Sequence, residues 1–281
     1  IIGRSTCAMS SGSDKPGKII KIPGGVALNL AMVLQKNGLN SSLLSAIGAD
    51  NDGDQLIEQI KLRGIDTEHI YRAKSFPTDK YMAVEGSNGL IGAIADTHTL
   101  ERCEKYILSP LKNGKLYKLN EPWAGIIVLD GNLTENLLNK INNDPLFRNV
   151  DLRIAPASPG KAARLRTCLN GNVRTVYMNL EEANLIVNQN FNESCSAAIA
   201  LLDAGFKRAV VTNGGNKVTV AEKDNQISIT PPNVDVVRVT GAGDVFMASH
   251  IQAELIGKQK ETAINFALNQ TAKYISGSEK L

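Results

Sequence analysis

Five consecutive residues near the C-terminal end, Thr240-Gly241-Ala242-Gly243-Asp244, set small, backbone-exposing residues beside one carboxylate. A β-type run, Val234-Asp235-Val236-Val237, precedes them and a helical run, Val245 to Ile256, follows, so the spacing predicts a strand-to-helix turn. The first amides of a helix have no intrahelical acceptors and sit at the positive end of its macrodipole. With little side-chain bulk in the way, an anion can touch them, and successive N–H groups form a nest for phosphate oxygens. A carboxylate in such a cradle repels phosphate, so Asp244 needs an explanation. Either it is an ordinary N-cap after a glycine turn. Or it takes the proton of a hydroxyl that attacks phosphorus, while the amides of Gly241, Ala242 and Gly243 hold the charge that develops. These residues alone leave both readings open.

A second glycine-to-helix junction lies early in the chain. Pro23-Gly24-Gly25 leads into Val26 to Leu34, a nearly all-apolar run whose one polar residue is Asn29. Asn29 is either satisfied by local backbone or faces a ligand beside the Gly-Gly turn. The acidic turn Gly48 to Asp54 lacks the closing Glu of a calcium loop and is read as a solvated turn capping the helix Gln55 to Arg63. His69, His98 and His250 share no ligand or triad spacing. Trp123 reads as packing, and Lys161 as a surface helix residue rather than a phosphate neighbour.

The elements around these residues follow from periodicity. Ile1-Ile2-Gly3 is read as the tail of a first core strand, which places further chain ahead of it. Lys18 to Ile22 is a short half-exposed strand. Tyr81 to Glu85 and Leu90 to Ala95, joined by Gly86-Ser87-Asn88-Gly89, form a hairpin that interrupts the alternating pattern. From Gly125 strands and helices alternate: strands at 125–129, 152–155, 175–178 and 208–212, helices at 134–141, 161–169, 181–187 and 194–204. A hairpin of 217–221 with 226–229 precedes the glycine turn, and a helix at 262–275 ends the pattern. Such alternation predicts a mostly parallel sheet covered on both faces. Ligands of these sheets bind at the carboxyl ends of the strands. Four loops converge there: Asp130-Gly131-Asn132, Asn179 to Glu182, Thr212 to Gly215, and Thr240 to Asp244.

Bulk properties narrow the function classes. At 281 residues the chain buries roughly 75% of its unfolded surface and needs no staples. Net charge is +3 with acids and bases interspersed, which argues against a nucleic-acid surface. Cys7, Cys103, Cys168 and Cys195 lack metal or CxxC spacing and read as reduced thiols of a cytoplasmic protein. No apolar run reaches membrane-spanning length.

Taken in order, Gly24-Gly25-x-x-x-Asn29, Asn179-x-x-Glu182, Thr212-x-Gly214 and Thr240-Gly241-Ala242-Gly243-Asp244 resemble the ribokinase-like (PfkB-type) carbohydrate and nucleoside kinases over nearly the whole chain. The resemblance implies an α/β fold: a doubly wound, mostly parallel sheet in a single domain, residues 1–281, with a small β-strand lid at about 18–23 and 78–96. It implies ATP-dependent phosphorylation of a sugar-type hydroxyl. Asp244 then corresponds to the catalytic base, and Gly241, Ala242 and Gly243 to the anion hole. Gly24, Gly25 and Asn29 correspond to substrate contacts, with Asp96 reaching in from the lid or lying solvated at the hairpin end. Thr212, Gly214, Thr240 and Asn269 fall on the ATP side, and Asn179 with Glu182 place Mg²⁺.

Pro16-Gly17-Lys18-Ile19, Leu129-Asp130-Gly131-Asn132-Leu133 and Pro156-Ala157-Ser158-x-x-Lys161-Ala162 are similar to the pseudouridine kinase branch, which implies transfer to the 5′-hydroxyl of pseudouridine. Another sugar kinase of the ribose, fructose or adenosine type, or a catalytically weak ligand sensor on the same fold, remains open. Departures matter here. No Asp follows the first strand until Asp14. Arg238 stands where many members carry an Asp that helps bind a monovalent cation, which puts K⁺ activation in doubt, and Ala155 stands where Asp-Pro is common. The expected partner is a small nucleoside or sugar, with no nucleic acid and no membrane. The exposed lid edges imply a homodimer through the lid.

Overall fold

The computed structural model describes residues 1–112, 116 and 124–279. Trp123 lies outside these. The described strands are β1 (Ile2–Arg4), β2 (Lys18–Ile20), β3 (Ser45–Gly48), β4 (Ile70–Ala73), β5 (Lys80–Gly86), β6 (Gly89–Asp96), β7 (Ile126–Asp130), β8 (Asp151–Ala155), β9 (Val173–Asn179), β10 (Arg208–Thr212), β11 (Val218–Glu222) and β12 (Asn225–Ile229). The helices are α1 (Val26–Lys36), α2 (Asn51–Leu62), the short α3 (His98–Arg102), α4 (Glu104–Ile107) and α5 (Ser109–Lys112), then α6 (Glu135–Asn143), α7 (Pro159–Ala162), α8 (Leu180–Val187), α9 (Ser194–Asp203), α10 (Ala242–Leu255) and α11 (Lys260–Ile275).

The main sheet has the order β12-β11-β10-β9-β8-β7. β7 to β10 are parallel, and the β11–β12 hairpin adds antiparallel strands at one edge. Successive side chains of a strand point to opposite faces. Accordingly Val176, Met178, Ala209 and Val211 pack with Leu138, Ala183, Ala197 and Leu201 of α6, α8 and α9. Tyr177 and Val210 face the other way, onto Leu30 and Val33 of α1, Phe246 and Ile251 of α10 and Ile264 and Leu268 of α11. Both faces are covered, so the strands read as continuous apolar runs and β7 to β12 lie where the spacing predicts them.

β3 and β4 form a separate parallel pair. The acidic segment is not a turn ahead of a helix at Gln55, as expected: α2 already starts at Asn51 and takes Asp52 and Asp54 into its first turn, with Asp50 as the cap, its Oδ1 accepting the Gly53 N–H at 2.8 Å and its Oδ2 the Thr78 N–H at 2.8 Å.

The peripheral sheet has the order β2-β1-β5-β6 and takes in the strands expected of the lid. Two sequence expectations change here. Ile1-Ile2-Gly3 is not the tail of a core strand. β1 lies between β2, antiparallel, and β5, parallel, where it satisfies both backbone edges. Nor is Val234 to Val237 a strand. Pro231 and Pro232 remove two donors ahead of it. The Val237 and Arg238 amides donate to Ile275 O at 2.9 and 3.2 Å instead of to a sheet neighbour, and Val236 and Val237 are exposed.

Candidate active site

Two helix starts meet at the carboxyl ends of the parallel strands. α1 begins at Gly25, with φ 115°, and α10 begins at Gly241, with φ 88°. Both angles are strained for residues with a Cβ, which is why glycine stands at each. Neither helix has a side-chain N-cap bond. Asp244 does not cap α10. Its Oδ2 accepts from Asn29 Nδ2 at 2.7 Å, a bond joining residues 215 apart in sequence. The capping reading of Asp244 and the local-backbone reading of Asn29 both give way to this pairing.

Asp244 is half-buried. Burial lifts its carboxyl to about 7; the Asn29 bond pulls it down and the nearby Asp130 pushes it up. Asp130, at the end of β7, is also raised by burial, against the pull of N–H groups from Asn132 and from Ala27 in the first turn of α1. An acid held at the N-terminus of α1 is the favourable arrangement for that helix dipole.

Three amides at the start of α10 are open. Among the described residues, the N–H groups of Gly241, Gly243 and Asp244 have no protein acceptor, whereas the Ala242 N–H donates to Val239 O at 2.9 Å. Ala242 therefore closes the turn, so its amide, expected in the anion hole, is already taken, while that of Asp244 is open. A Cβ built on Gly24, Gly25, Gly214 or Gly243 would meet open space, so these backbones are bare to approach from outside.

Asn179 and Glu182 make a reciprocal capping box at the start of α8: Asn179 Oδ1 accepts the Glu182 N–H at 2.8 Å, and Glu182 Oε2 accepts the Asn179 N–H at 2.9 Å. Glu182 is buried, and burial together with Glu181 and Asp244 raises its carboxyl to about 7 against the pull of that amide. Thr212 pairs in register with Asn179 across β10 and β9, which sets the two strand ends side by side. Gly214 follows with φ 54°.

Two expected site residues stand apart. Asp96 Oδ1 pairs with His98 Nδ1 at 2.6 Å at the lid's end. Asn269 is exposed on α11 without a hydrogen bond to any other residue named here. The sequence reading left Asp130 without a role, although its place at a parallel strand's carboxyl end was the available signal. Lys161 is not a free surface residue: it is half-buried, its Nζ contacts Asn132 Oδ1 and lies 3.5 Å from Thr97 Oγ1, and burial lowers its pKa. Arg238 lies over the Tyr274 ring, 4.9 Å from its centroid.

A surface groove of about 730 Å³, bordered by Phe206, Lys207, Glu222 and Asp224, opens at the amino end of β10, away from Asp244. It is separate from the helix starts at Gly25 and Gly241.

This arrangement has counterparts. Residues 6–277 match the model of the pfkB family carbohydrate kinases. The chain is 27% identical over 272 residues to the pseudouridine kinase of Escherichia coli, covering 95% of this chain and 84% of the relative. It is 28% identical over 273 residues to the uncharacterized sugar kinase YeiI of the same organism, covering 95% and 73%. Ribokinase from Thermotoga maritima superposes with a TM-score of 0.78 at 19% identity over 98% of this chain and 89% of that one. A match that spans both helix starts and every strand of the main sheet places the chain: it belongs to the pfkB family of carbohydrate kinases.

Proposed function

We propose that this ATP-dependent kinase transfers the γ-phosphoryl group to the 5′-hydroxyl of a nucleoside, with pseudouridine as the acceptor. The observation that carries the transfer chemistry is the Asn29–Asp244 pair set between two helix N-termini. Asp244 takes the acceptor hydroxyl's proton as that oxygen attacks the γ-phosphorus, and ADP departs. A carboxyl that titrates near 7 suits a base working near neutral pH. The amides of Gly241, Gly243 and Asp244 face the transferred group, and phosphoryl transfer depends chiefly on such positioning and charge stabilisation. Gly24, Gly25 and Asn29 border the acceptor side. Thr212, Gly214 and Thr240 border the ATP side.

Mg²⁺ fits the residues present. Glu182 is buried and uses only Oε2 in its capping bond, which leaves Oε1 for an ion. Among the described residues no group of three or more His, Cys, Asp or Glu could hold a metal. Mg²⁺ keeps most of its waters and binds through one or two carboxylates plus phosphates. Glu182 and Asn179 would hold it, and the ion would neutralise charge on the phosphates.

The pseudouridine assignment is supported by the E. coli relative together with the Asp130-Gly131-Asn132 and Lys161 segments, which the structure brings into contact. A sugar acceptor of the ribose, fructose or adenosine type is the competing reading, favoured by the equal likeness to a sugar kinase of unassigned substrate. A weakly active sensor is the third, motivated by the loop position of Asp14 and by Arg238. ADP release measured over pseudouridine, uridine, adenosine, ribose and fructose separates them. Pseudouridine should give the highest kcat/KM; another acceptor ahead of it overturns the substrate assignment, and ligand binding without ADP release supports the sensor.

The same reading includes a homodimer through the lid, whose Ile19, Leu90 and Ile94 are exposed at 82, 56 and 63%. Sedimentation should show a dimer that Ile94→Lys converts to a monomer; a monomeric wild type rejects it. Among the described residues no helix is long and apolar enough to cross a membrane.

A further inference from the structure

Glu85 is a buried acid on a strand whose neighbours Tyr81, Met82 and Val84 are exposed. A carboxylate is almost never buried without partners. Its partners come from two different parts of the molecule. Oε2 accepts from Arg4 Nε at 2.8 Å and pairs with the second guanidinium nitrogen at 2.7 Å, across the β1–β5 register that sets Arg4 opposite Glu85. Oε1 accepts the hydroxyl of Thr240, the residue that opens the glycine turn. The β5–β6 register shifts between Val84 and Glu85, a local irregularity of the kind that re-aims a side chain.

Thr240 is held at its other end as well. Its carbonyl accepts the Tyr274 hydroxyl at 2.7 Å, and the Tyr274 ring carries the Arg238 guanidinium. The lid thus grips the side chain of Thr240 while α11 grips its backbone. The next residue is Gly241, where the backbone turns left-handed and the open amides begin. A carboxylate this near an anion-binding turn would repel phosphate if it were alone. The Arg4 guanidinium offsets that charge directly.

We propose that Glu85 is a positioning residue for phosphoryl transfer: its carboxylate docks the lid onto Thr240, and the amides of Gly241, Gly243 and Asp244 take their working orientation when that contact is made. Arg4 holds Glu85 in line. This role rests on the kinase reading of the site. It differs from a general stabilising contact because it acts on the turn that faces the transferred group, so its loss should appear in kcat rather than in KM.

The test uses the full chain with Glu85→Gln, Thr240→Val and the double variant, each checked for native circular dichroism and thermal unfolding. Steady-state ADP release and hydrogen exchange of the 239–245 segment are the readouts. Glu85→Gln should lower kcat by about 10- to 100-fold, the scale of one hydrogen bond to a charged group, with KM for ATP and acceptor within about threefold of wild type. The 239–245 amides should exchange faster. Glu85→Gln keeps an oxygen for the Thr240 hydroxyl but takes the charge from that bond and from the Arg4 pair; Thr240→Val removes the bond outright and should lose at least as much, and the double variant should be no worse than Thr240→Val alone, the mark of one shared contact. Additive losses, or a folded Glu85→Gln with wild-type kcat and unchanged exchange, overturn the proposal. If Glu85→Gln fails to fold, Thr240→Val decides by the same criteria. A wild type that releases no ADP with any acceptor overturns the kinase reading and this role together; an active wild type with an indifferent Glu85→Gln overturns this role alone.

Discussion

Replacing Asp244 with Asn should cost turnover and add stability, and the two effects should depend differently on pH. The substitution keeps the side chain's size and leaves an oxygen for Asn29 Nδ2, which lies 2.7 Å from Oδ2. It removes the proton acceptor, so turnover should fall by ~10²–10⁴. Stability moves the other way. Burial raises this carboxyl from its ordinary 3.8 to about 7 in the folded chain. A group that binds its proton more tightly when folded opposes folding once it ionises. The wild-type penalty is absent below 3.8, grows as pH climbs to about 7, and is complete above that. About three pKa units set an upper bound of roughly 4 kcal/mol. Because Asp244 keeps part of its contact with solvent, we expect about 1–2 kcal/mol, or a Tm gain of about 2–8 °C at pH 8. The gain should shrink toward zero near pH 4. Thermal melts of both proteins from pH 4 to 8, run beside ADP release from pH 5.5 to 9, give the full comparison. Wild-type turnover should rise about tenfold per pH unit below 7 and then level. Undiminished turnover in Asp244→Asn would refute the base assignment, and a Tm gain that is flat across pH would refute the burial argument.

Three further outcomes follow from the same contacts. Asn29→Leu removes the donor that holds the Asp244 pKa down, so the rise of the pH–rate profile should move about one unit to higher pH; a profile that stays in place would show that the bond does not tune the base. Glu182→Gln keeps an oxygen for the Asn179 N–H and deletes a buried charge, so Tm should rise modestly above pH 7, as for Asp244→Asn, while the half-saturating Mg²⁺ concentration rises roughly 10- to 100-fold, measured by Mg²⁺ titration of ADP release. Arg238 puts a permanent cation over the Tyr274 ring beside the turn, so turnover in potassium, sodium and choline salts should agree within about twofold at equal ionic strength.

Most of the main sheet was legible because burial on both faces writes each strand as an unbroken apolar run between turn residues. The two strands misjudged show where that signal stops. Ile1-Ile2-Gly3 has the composition of a core strand, but which sheet an apolar triplet joins depends on the partners available. Here β2 and β5 present facing edges that it fills. Val234 to Val237 has β-type residues with no sheet edge to receive them. The site divides the same way. A glycine turn ahead of an apolar helix is visible in one dimension, so the positive-φ helix starts at Gly25 and Gly241 were legible. The choice between capping box and metal ligand for Asn179 and Glu182 is not visible, because one spacing serves both. Glu85 and Asp130 gain their importance from contacts across 155 residues and from the start of α1, respectively, distances at which periodicity carries no information.

The placement of Asp244 is set from both ends of α10. At the far end Glu254 pairs with Arg153 and with Arg208 at 2.5 and 2.6 Å, and Arg153 also pairs with Asp151 at 2.6 Å and donates to Tyr177 Oη at 3.2 Å. Arg153 is buried. Buried pairs add little net stability compared with apolar packing, because desolvation offsets their attraction. Losing one partner, however, strands a charge, so the helix cannot rotate or slide without breaking several bonds at once. Apolar contacts along α10 would tolerate a shift of a fraction of a turn; this network does not. Glu254 lies ten residues beyond Asp244, about 15 Å along a helix. Rigidity over that span carries the register fixed at Glu254 to the first turn, where Asn29 and the open amides need the carboxylate held to well under an ångström. The apolar residues hold α10 against the sheet, and the charged ones decide which of its residues stands at the cleft.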